Sequence, residues 1–310
     1  MSARVGRVDG FGDAARLLRT VGPPLFVLLW SCGFIFLRIA LDDADPLTLL
    51  ATRYALVEAV LLPAALVLRP RLPRGVAWLH LAMTGLLVQA GHFNFVTLAL
   101  AQGFAPGNLA LLTSLQPILV GLLAPLLAGE AVSGRRWLGL ALGLAGAVGA
   151  ILAHARLGGL PVAGLLFGML GLFTLTAGTL YERRFGIAVH PVTASLVQCG
   201  VGLLVSLPLA AWLEPMHLHP TPRLMLALAY LVLANSIVAL TLLLAMVRLG
   251  EASRVSALFF LVPPTTALIA WAVLGEAVPP LGWLGLAVSA AGVAIVTQEP
   301  RRRRPSSGEV

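Results

Sequence analysis

Leu126-Leu127-Ala128-Gly129-Glu130-Ala131-Val132, followed by Trp137-Leu138-Gly139-Leu140-Ala141, decides how this chain folds, because its specific residues return 146 positions later. Val273-Leu274-Gly275-Glu276-Ala277-Val278 and Trp283-Leu284-Gly285-Leu286-Ala287 stand at that offset. Leu115-Gln116-Pro117 likewise lands on Leu261-Val262-Pro263, and 16 of 39 positions agree between 112–150 and 258–296 without a gap. Leu, Ala, Val and Gly match often by chance in an apolar chain. A paired Pro, Gly-Glu and Trp at one fixed offset do not, so the chain contains a duplicated unit. The match reaches back more weakly: Arg38 pairs with Arg184, and Pro46, Thr48 and Pro63 pair with Pro191, Thr193 and Pro208 at an offset shorter by one.

Hydrophobic residues make up 59% of the 310 residues and charged residues 11%, with a mean hydropathy of +0.94. That leaves too little polar surface to coat a soluble globule. A transmembrane helix needs about 20 apolar residues. Ten segments qualify: 23–40, 47–68, 76–101, 106–128, 136–154, 161–181, 191–213, 224–247, 255–274 and 281–297. All 21 basic residues are arginines, scattered between apolar runs rather than patched, so the net charge of +8 does not point to nucleic acid. With a cytoplasmic N-terminus, seventeen arginines fall in cytoplasmic segments and only Arg156 and Arg223 outside, while Arg38 and Arg53 lie within spans. By the positive-inside rule both termini are cytoplasmic. The basic N-terminal stretch precedes an apolar run as a signal peptide would, but the run ends in Arg38 and Asp42-Asp43-Ala44-Asp45 without a small-residue cleavage site. It reads as a retained first helix. Cys32 and Cys199 fall within spans and read as packing residues rather than a disulfide.

Five spans per copy is an odd number, so the second copy enters the bilayer from the opposite side. The expected fold is an all-α polytopic membrane protein, ten transmembrane helices arranged as two inverted five-helix repeats. The expected divisions are a cytoplasmic N-terminal segment (1–22), a first repeat (23–154), a second repeat (155–298) and a basic cytoplasmic tail (299–310). Each Gly-Glu turn follows a Pro-bearing helix and precedes Trp-Leu-Gly and an Ala/Gly-rich helix. In this the chain resembles the EamA-type transporters of the drug/metabolite transporter superfamily, over about 20–298. The resemblance implies a secondary transporter of a bacterial cytoplasmic membrane, commonly an exporter of amino acids or other small metabolites.

Polar groups in hydrocarbon are expensive and turn toward a cavity or a partner helix. Span three holds Gln89, His92 and Asn94, with Gln89 and His92 on one helix face; Asn235 and Ser236 of span eight stand opposite Gln89 and Ala90 in the repeat. A shared midplane cavity and plain helix–helix hydrogen bonding are the two readings. Trp30 and Ser31 of span one and Tyr181 of span six are further candidates for walling a substrate pocket, against packing as the alternative. Gln116 flanks Pro117 in span four, and Pro117 and Pro263 are matched helix-kinking positions, suited to gating or to fixed curvature. Glu58 is the acidic residue near the middle of span two, a candidate proton-coupling carboxylate unless it pairs with Arg53 or Arg38 or snorkels. For Arg53 a structural ion pair is expected. Gly129-Glu130 and Gly275-Glu276 read as turns, Gly closing one helix and Glu opening the next.

Asp42-Asp43-Ala44-Asp45 looks like one magnesium-binding cluster of a membrane prenyltransferase, but a second cluster is missing. His217-Leu218-His219 gives only two metal ligands. Both read as solvated loops, and no cofactor is called for. Without a Walker motif the chain is not expected to hydrolyse ATP. The leading expectation is an alternating-access exporter with a cavity lined by spans one, three, four, six, eight and nine, not an enzyme. A membrane-embedded enzyme acting on a lipid is the alternative. Its partners would be a small-molecule metabolite and the lipid bilayer, with protons as the candidate coupling ion, as a monomer or a homodimer.

Overall fold

The computed structural model describes residues 10–127, 131–187, 189–248, 258–259 and 261–297. Among them the secondary structure is helical, with one isolated bridge, Ala44 to Leu218. The helices are α1 (Gly10–Ala40), α2 (Pro46–Leu68), α3 (Ala77–Ala101), α4 (Pro106–Leu127) and α5 (Gly134–Gly158). They continue with α6 (Val162–Phe185), α7 (Pro191–Leu213), α8 (222–248), α9 (Val262–Leu274) and α10 (Pro280–Thr297). Eight are long and apolar enough to cross a membrane; α9 and α10 are shorter apolar helices. Most ends fall close to the expected ones. However, α1 starts at Gly10 rather than 23 and runs through Pro23 and Pro24. The turn at Gly129-Glu130 lies outside the described residues.

Two helices are interrupted in a matched way. Residues 86–93 of α3 and 230–239 of α8 wind as π-helix, and an offset of 146 lays one on the other. In α4 the helix breaks at Ser114-Leu115 and restarts at Gln116, with Pro117 in its first turn. α9 likewise opens with Val262 and Pro263 after turn residues 259 and 261. These prolines therefore do not kink a continuous helix. A first-turn proline lacks an N–H that would have no partner anyway. At the α4 break Leu115 N turns to Leu112 O, and Leu111 O is taken by a hydroxyl instead, Ser114 Oγ donating to it at 2.6 Å.

In a bilayer the lipid tails are as apolar as leucine, so small residues and polar ties hold helices together. The α5–α10 crossing shows this most strongly. A Cβ at Gly146 would lie 2.4 Å from Ser289 N and 2.5 Å from Gly285 O; at Gly292 it would lie 2.4 Å from Gly143 N and 2.6 Å from Gly139 O. The 146 offset converts each contact into the other. α2 packs on α7 in a similar way, where Gly202 leaves room for the Tyr54 ring.

The first helix of each half is exchanged. α1 packs against α8 and α9 of the second half, whereas α6 packs against α3 and α4 of the first. The connections after α1, α3, α5, α7 and α9 gather at one end of the bundle. There Asp45 N donates to His217 O and His219 N to Asp43 O. Thr221 Oγ1 donates to Asp43 Oδ2 at 2.8 Å, and Asp42 accepts from Arg38 at 2.7 Å and Arg223 at 3.0 Å. The acidic loop and the His217–His219 loop are thus each other's partners. Glu214, at the end of α7, accepts from Leu47 N, Thr48 N and Thr48 Oγ1 at 2.8–2.9 Å and so caps α2. Gly275 closes α9 in the left-handed conformation (φ 72°). Glu276 follows in the connection rather than opening α10, its amide reaching back to Ala270 O at 3.3 Å.

Candidate substrate site

A π turn carries one extra residue, so it re-aims the side chains beyond it and leaves main-chain groups to be satisfied otherwise. Both π segments show this. Tyr54 Oη donates to Gln89 O at 2.7 Å and Ser236 Oγ to Leu231 O at 2.8 Å. The segments also deliver the polar side chains at the junction of the halves. Asn235 Nδ2 donates to Leu29 O of α1 at 3.3 Å, beside Tyr230 Oη donating to the same carbonyl at 3.0 Å. Gly33 makes room, since a Cβ there would stand 2.5 Å from Asn235 Nδ2.

Arg53 enters this junction from α2 and is only 5% exposed. Its Nη2 donates to Asn235 Oδ1 at 3.0 Å and to Ser236 Oγ at 2.9 Å, and its Nε lies 3.3 Å from Ser236 Oγ. The guanidinium carbon sits 5.1 Å from the centroid of the Phe93 ring. The expected ion pair is not what holds it: these partners are neutral.

The remaining candidates are distributed around the bundle. Trp30 packs with Phe26 at 5.4 Å and Phe259 at 5.7 Å, next to the junction. Ser31 is fully buried and ties α1 to Val262 O of α9 at 3.3 Å. Gln116 Nε2 donates to Thr179 Oγ1 of α6 at 2.9 Å. Thr179 and Gln116 are the repeat equivalents of Gly33 and Val262, so the α6–α4 tie has its counterpart in the Ser31–Val262 bond of α1 to α9, two residues from Gly33. His92 is buried and, facing a carbonyl, carries its proton on Nδ1, donating to Gly171 O at 2.9 Å. Asn94 Oδ1 accepts from Ser206 Oγ at 2.9 Å across α3 and α7. Tyr181 Oη meets His80 Nδ1 at 2.8 Å, apart from the junction and beside Phe185. The Gln89 side chain is half-buried against α7 near Gly202. Glu58 is half-buried; its Oε1 is enclosed without a hydrogen-bond partner, and a Cβ on Gly200 of α7 would stand 3.7 Å from it.

Sequence reasoning passed over Tyr54, Tyr230, Thr179 and His154. The last, with Asn108, lines two adjoining pockets at the end where the five connections gather, the larger about 380 Å³. Glu276 shares the smaller pocket; burial pushes its carboxyl above the ordinary range, with Arg38 opposing. Among the described residues no three His, Cys, Asp or Glu come together as metal ligands.

Many apolar helices, eight of them long enough to cross a bilayer, define a polytopic membrane protein, with a polar cluster where its two similar halves meet. Residues 25–152 and 162–298 each match the EamA-like transporter family. The chain belongs to that family, and is a multi-pass membrane transporter of a bacterial inner membrane rather than an enzyme. It is 26% identical to the uncharacterized inner membrane transporter YedA of Escherichia coli K12, over 87% of each chain. A probable amino-acid metabolite efflux pump of Salmonella typhimurium is 27% identical, covering 87% of this chain and 92% of the other. A probable terminal-alkyne amino-acid exporter of Streptantibioticus cattleyicolor is also 27% identical, over 90% and 93%. One solved crystal structure shares the fold with a TM-score of 0.61, at 23% identity over 90% of this chain and 96% of that one.

Proposed function

We propose that the protein is a secondary exporter of amino acids or related small metabolites that works by alternating access. α9 and α10 complete ten spanning helices in two inverted five-helix repeats, 23–154 and 155–298, with both termini cytoplasmic. The observation that carries this reading is the reciprocal exchange of α1 and α6. It surrounds one junction with equivalent helices of opposite sense, so the same closure can form at either face. The arginine asymmetry supports the orientation and leaves the Asn108–His154 pockets on the outer side.

The substrate lies where α1, α3, α4, α6, α8 and α9 meet, contacted by Trp30, Gln89, His92, Gln116 and Asn235. Ser31 and Asn94 support that wall through their helix-to-helix bonds, whereas Tyr181 ties α6 to α3 away from it. Glu58, with one oxygen enclosed and unbonded, carries the coupling proton between α2 and α7. The names of the amino-acid efflux relatives support the substrate class.

Counterflow of radiolabelled amino acids in proteoliposomes tests this. Exchange of at least one of them is expected, accelerated by a pH gradient in the wild type and insensitive to it in Glu58→Gln. Absence of exchange for every solute would overturn the transporter reading. Unchanged pH dependence in Glu58→Gln would remove the proton role alone.

A further inference from the structure

Arg53 is a full charge, 5% exposed, whose bonding partners among the described residues are neutral. An isolated ion withdrawn from water is costly unless an opposite charge or metal compensates it. Asn235 and Ser236 orient the guanidinium but leave its charge in place. Phe93 contributes its π face from one side. Glu58 lies five residues further along the same helix and forms no ion pair with it within 4 Å. The donor count points the same way. Nε and both hydrogens of Nη2 are engaged, whereas Nη1 makes no hydrogen bond among the described residues and is not among the enclosed unbonded atoms. The two N–H groups of Nη1, on a rigid and pre-oriented guanidinium, are thus left for an acceptor.

We propose that Arg53 is the receptor for a carboxylate on the transported solute, received at the two N–H groups of Nη1. The inference rests on the transporter reading above and names the substrate group that reading leaves open. A charged N–H donor held in place favours an ionised acceptor such as a carboxylate, because charge-assisted bonds are stronger than neutral ones. Asn235 and Ser236 act as positioning residues that hold the fork, and Gly33 lets Asn235 approach. Arg53 belongs to the first half and both of its side-chain acceptors to the second. Binding at Nη1 therefore adds a third member to a bond that already spans the halves.

The test uses the purified full chain in detergent. Thermal shift titrations are run with L-leucine and L-phenylalanine, with their amides and decarboxylated amines, and with inorganic phosphate and chloride. At least one acid is expected to stabilise the protein at millimolar concentration while its amide and amine do not. Arg53→Gln should weaken the acid by at least about tenfold, the loss of charge-assisted bonds. Arg53→Lys should retain part of the affinity, because it keeps the charge without the fork. If Arg53→Gln does not fold, Ser236→Ala serves, with a smaller loss confined to the acid. Equal binding of acid and amide, unchanged acid affinity in these variants, or no shift with either acid would overturn the proposal. A shift with phosphate or chloride alone would overturn it too, since the site would then take a different anion. Counterflow of a neutral or cationic solute with no acid transported would overturn it while leaving the transporter reading intact.

Discussion

Replacing Gly292 by alanine perturbs the α5–α10 crossing at its closest point. The new Cβ would sit 2.4 Å from Gly143 N and 2.6 Å from Gly139 O, where ordinary contact begins near 3.4 Å. Both obstacles are main-chain atoms, so no rotamer change relieves the clash and the helices must part by about 1 Å. A gap of that size forfeits roughly a quarter to a half of the dispersion across the contact. Overpacking of this kind costs about 1–3 kcal/mol. Alanine returns about 1 kcal/mol of helix propensity, leaving a net loss of up to about 2 kcal/mol. At roughly 2–4 °C per kcal/mol, the midpoint should fall by several degrees, read by tryptophan fluorescence of the detergent-solubilised protein. Gly146→Ala should behave alike, its Cβ meeting Ser289 N at 2.4 Å and Gly285 O at 2.5 Å. Gly149→Ala is the control: nothing lies within 4 Å of its Cβ, so propensity alone acts and the midpoint should hold or rise. Should all three variants melt together at or above the wild type, the close crossing is refuted.

Glu214→Ala removes the acceptor for Leu47 N, Thr48 N and Thr48 Oγ1 and should destabilise by about 1–2 kcal/mol, seen as a lower melting midpoint. Ser289 is fully enclosed with its hydroxyl unbonded, so Ser289→Ala should raise stability by about 1 kcal/mol in the same assay. Glu276 titrates above the ordinary carboxylate range because burial disfavours its charge. The stability from its protonated form is therefore present below the unfolded value and is lost as pH rises through the folded one. A melting series across that window should show the loss in the wild type and a flatter profile in Glu276→Gln.

The fold was legible where sequence writes geometry into residue choice. Gly139, Gly146, Gly285 and Gly292 fall inside the duplicated stretch because two backbones touch there, and substitution is excluded on both copies. The π segments were not legible. Leu86–Phe93 and Tyr230–Ala239 read as ordinary apolar helix, and the extra residue per turn leaves no compositional mark. The exchange of α1 and α6 was hidden as well, because nothing in an apolar helix names the helix it will lie against. At the site, Asn235 and Gln89 were found through the repeat and Arg53 through its charge. Their union depends on positions 182 residues apart. An ion pair was expected for Arg53 because charges usually meet charges; two neutral acceptors and an aromatic face stand there instead.

The exchanged first helices mean that the unit of heredity and the unit of mechanics differ. What recurs along the chain is the family match, over 25–152 and 162–298; what is packed together is α1 with α8 and α9, and α6 with α3 and α4. A shift of either cluster therefore pulls on the short connection by which its exchanged helix leaves for the α2–α7 pair, 41–45 in the case of α1. That connection is pinned by Asp42, Asp43 and Asp45 to residues 217–223. It is the tether that limits how far α1 can travel from α2.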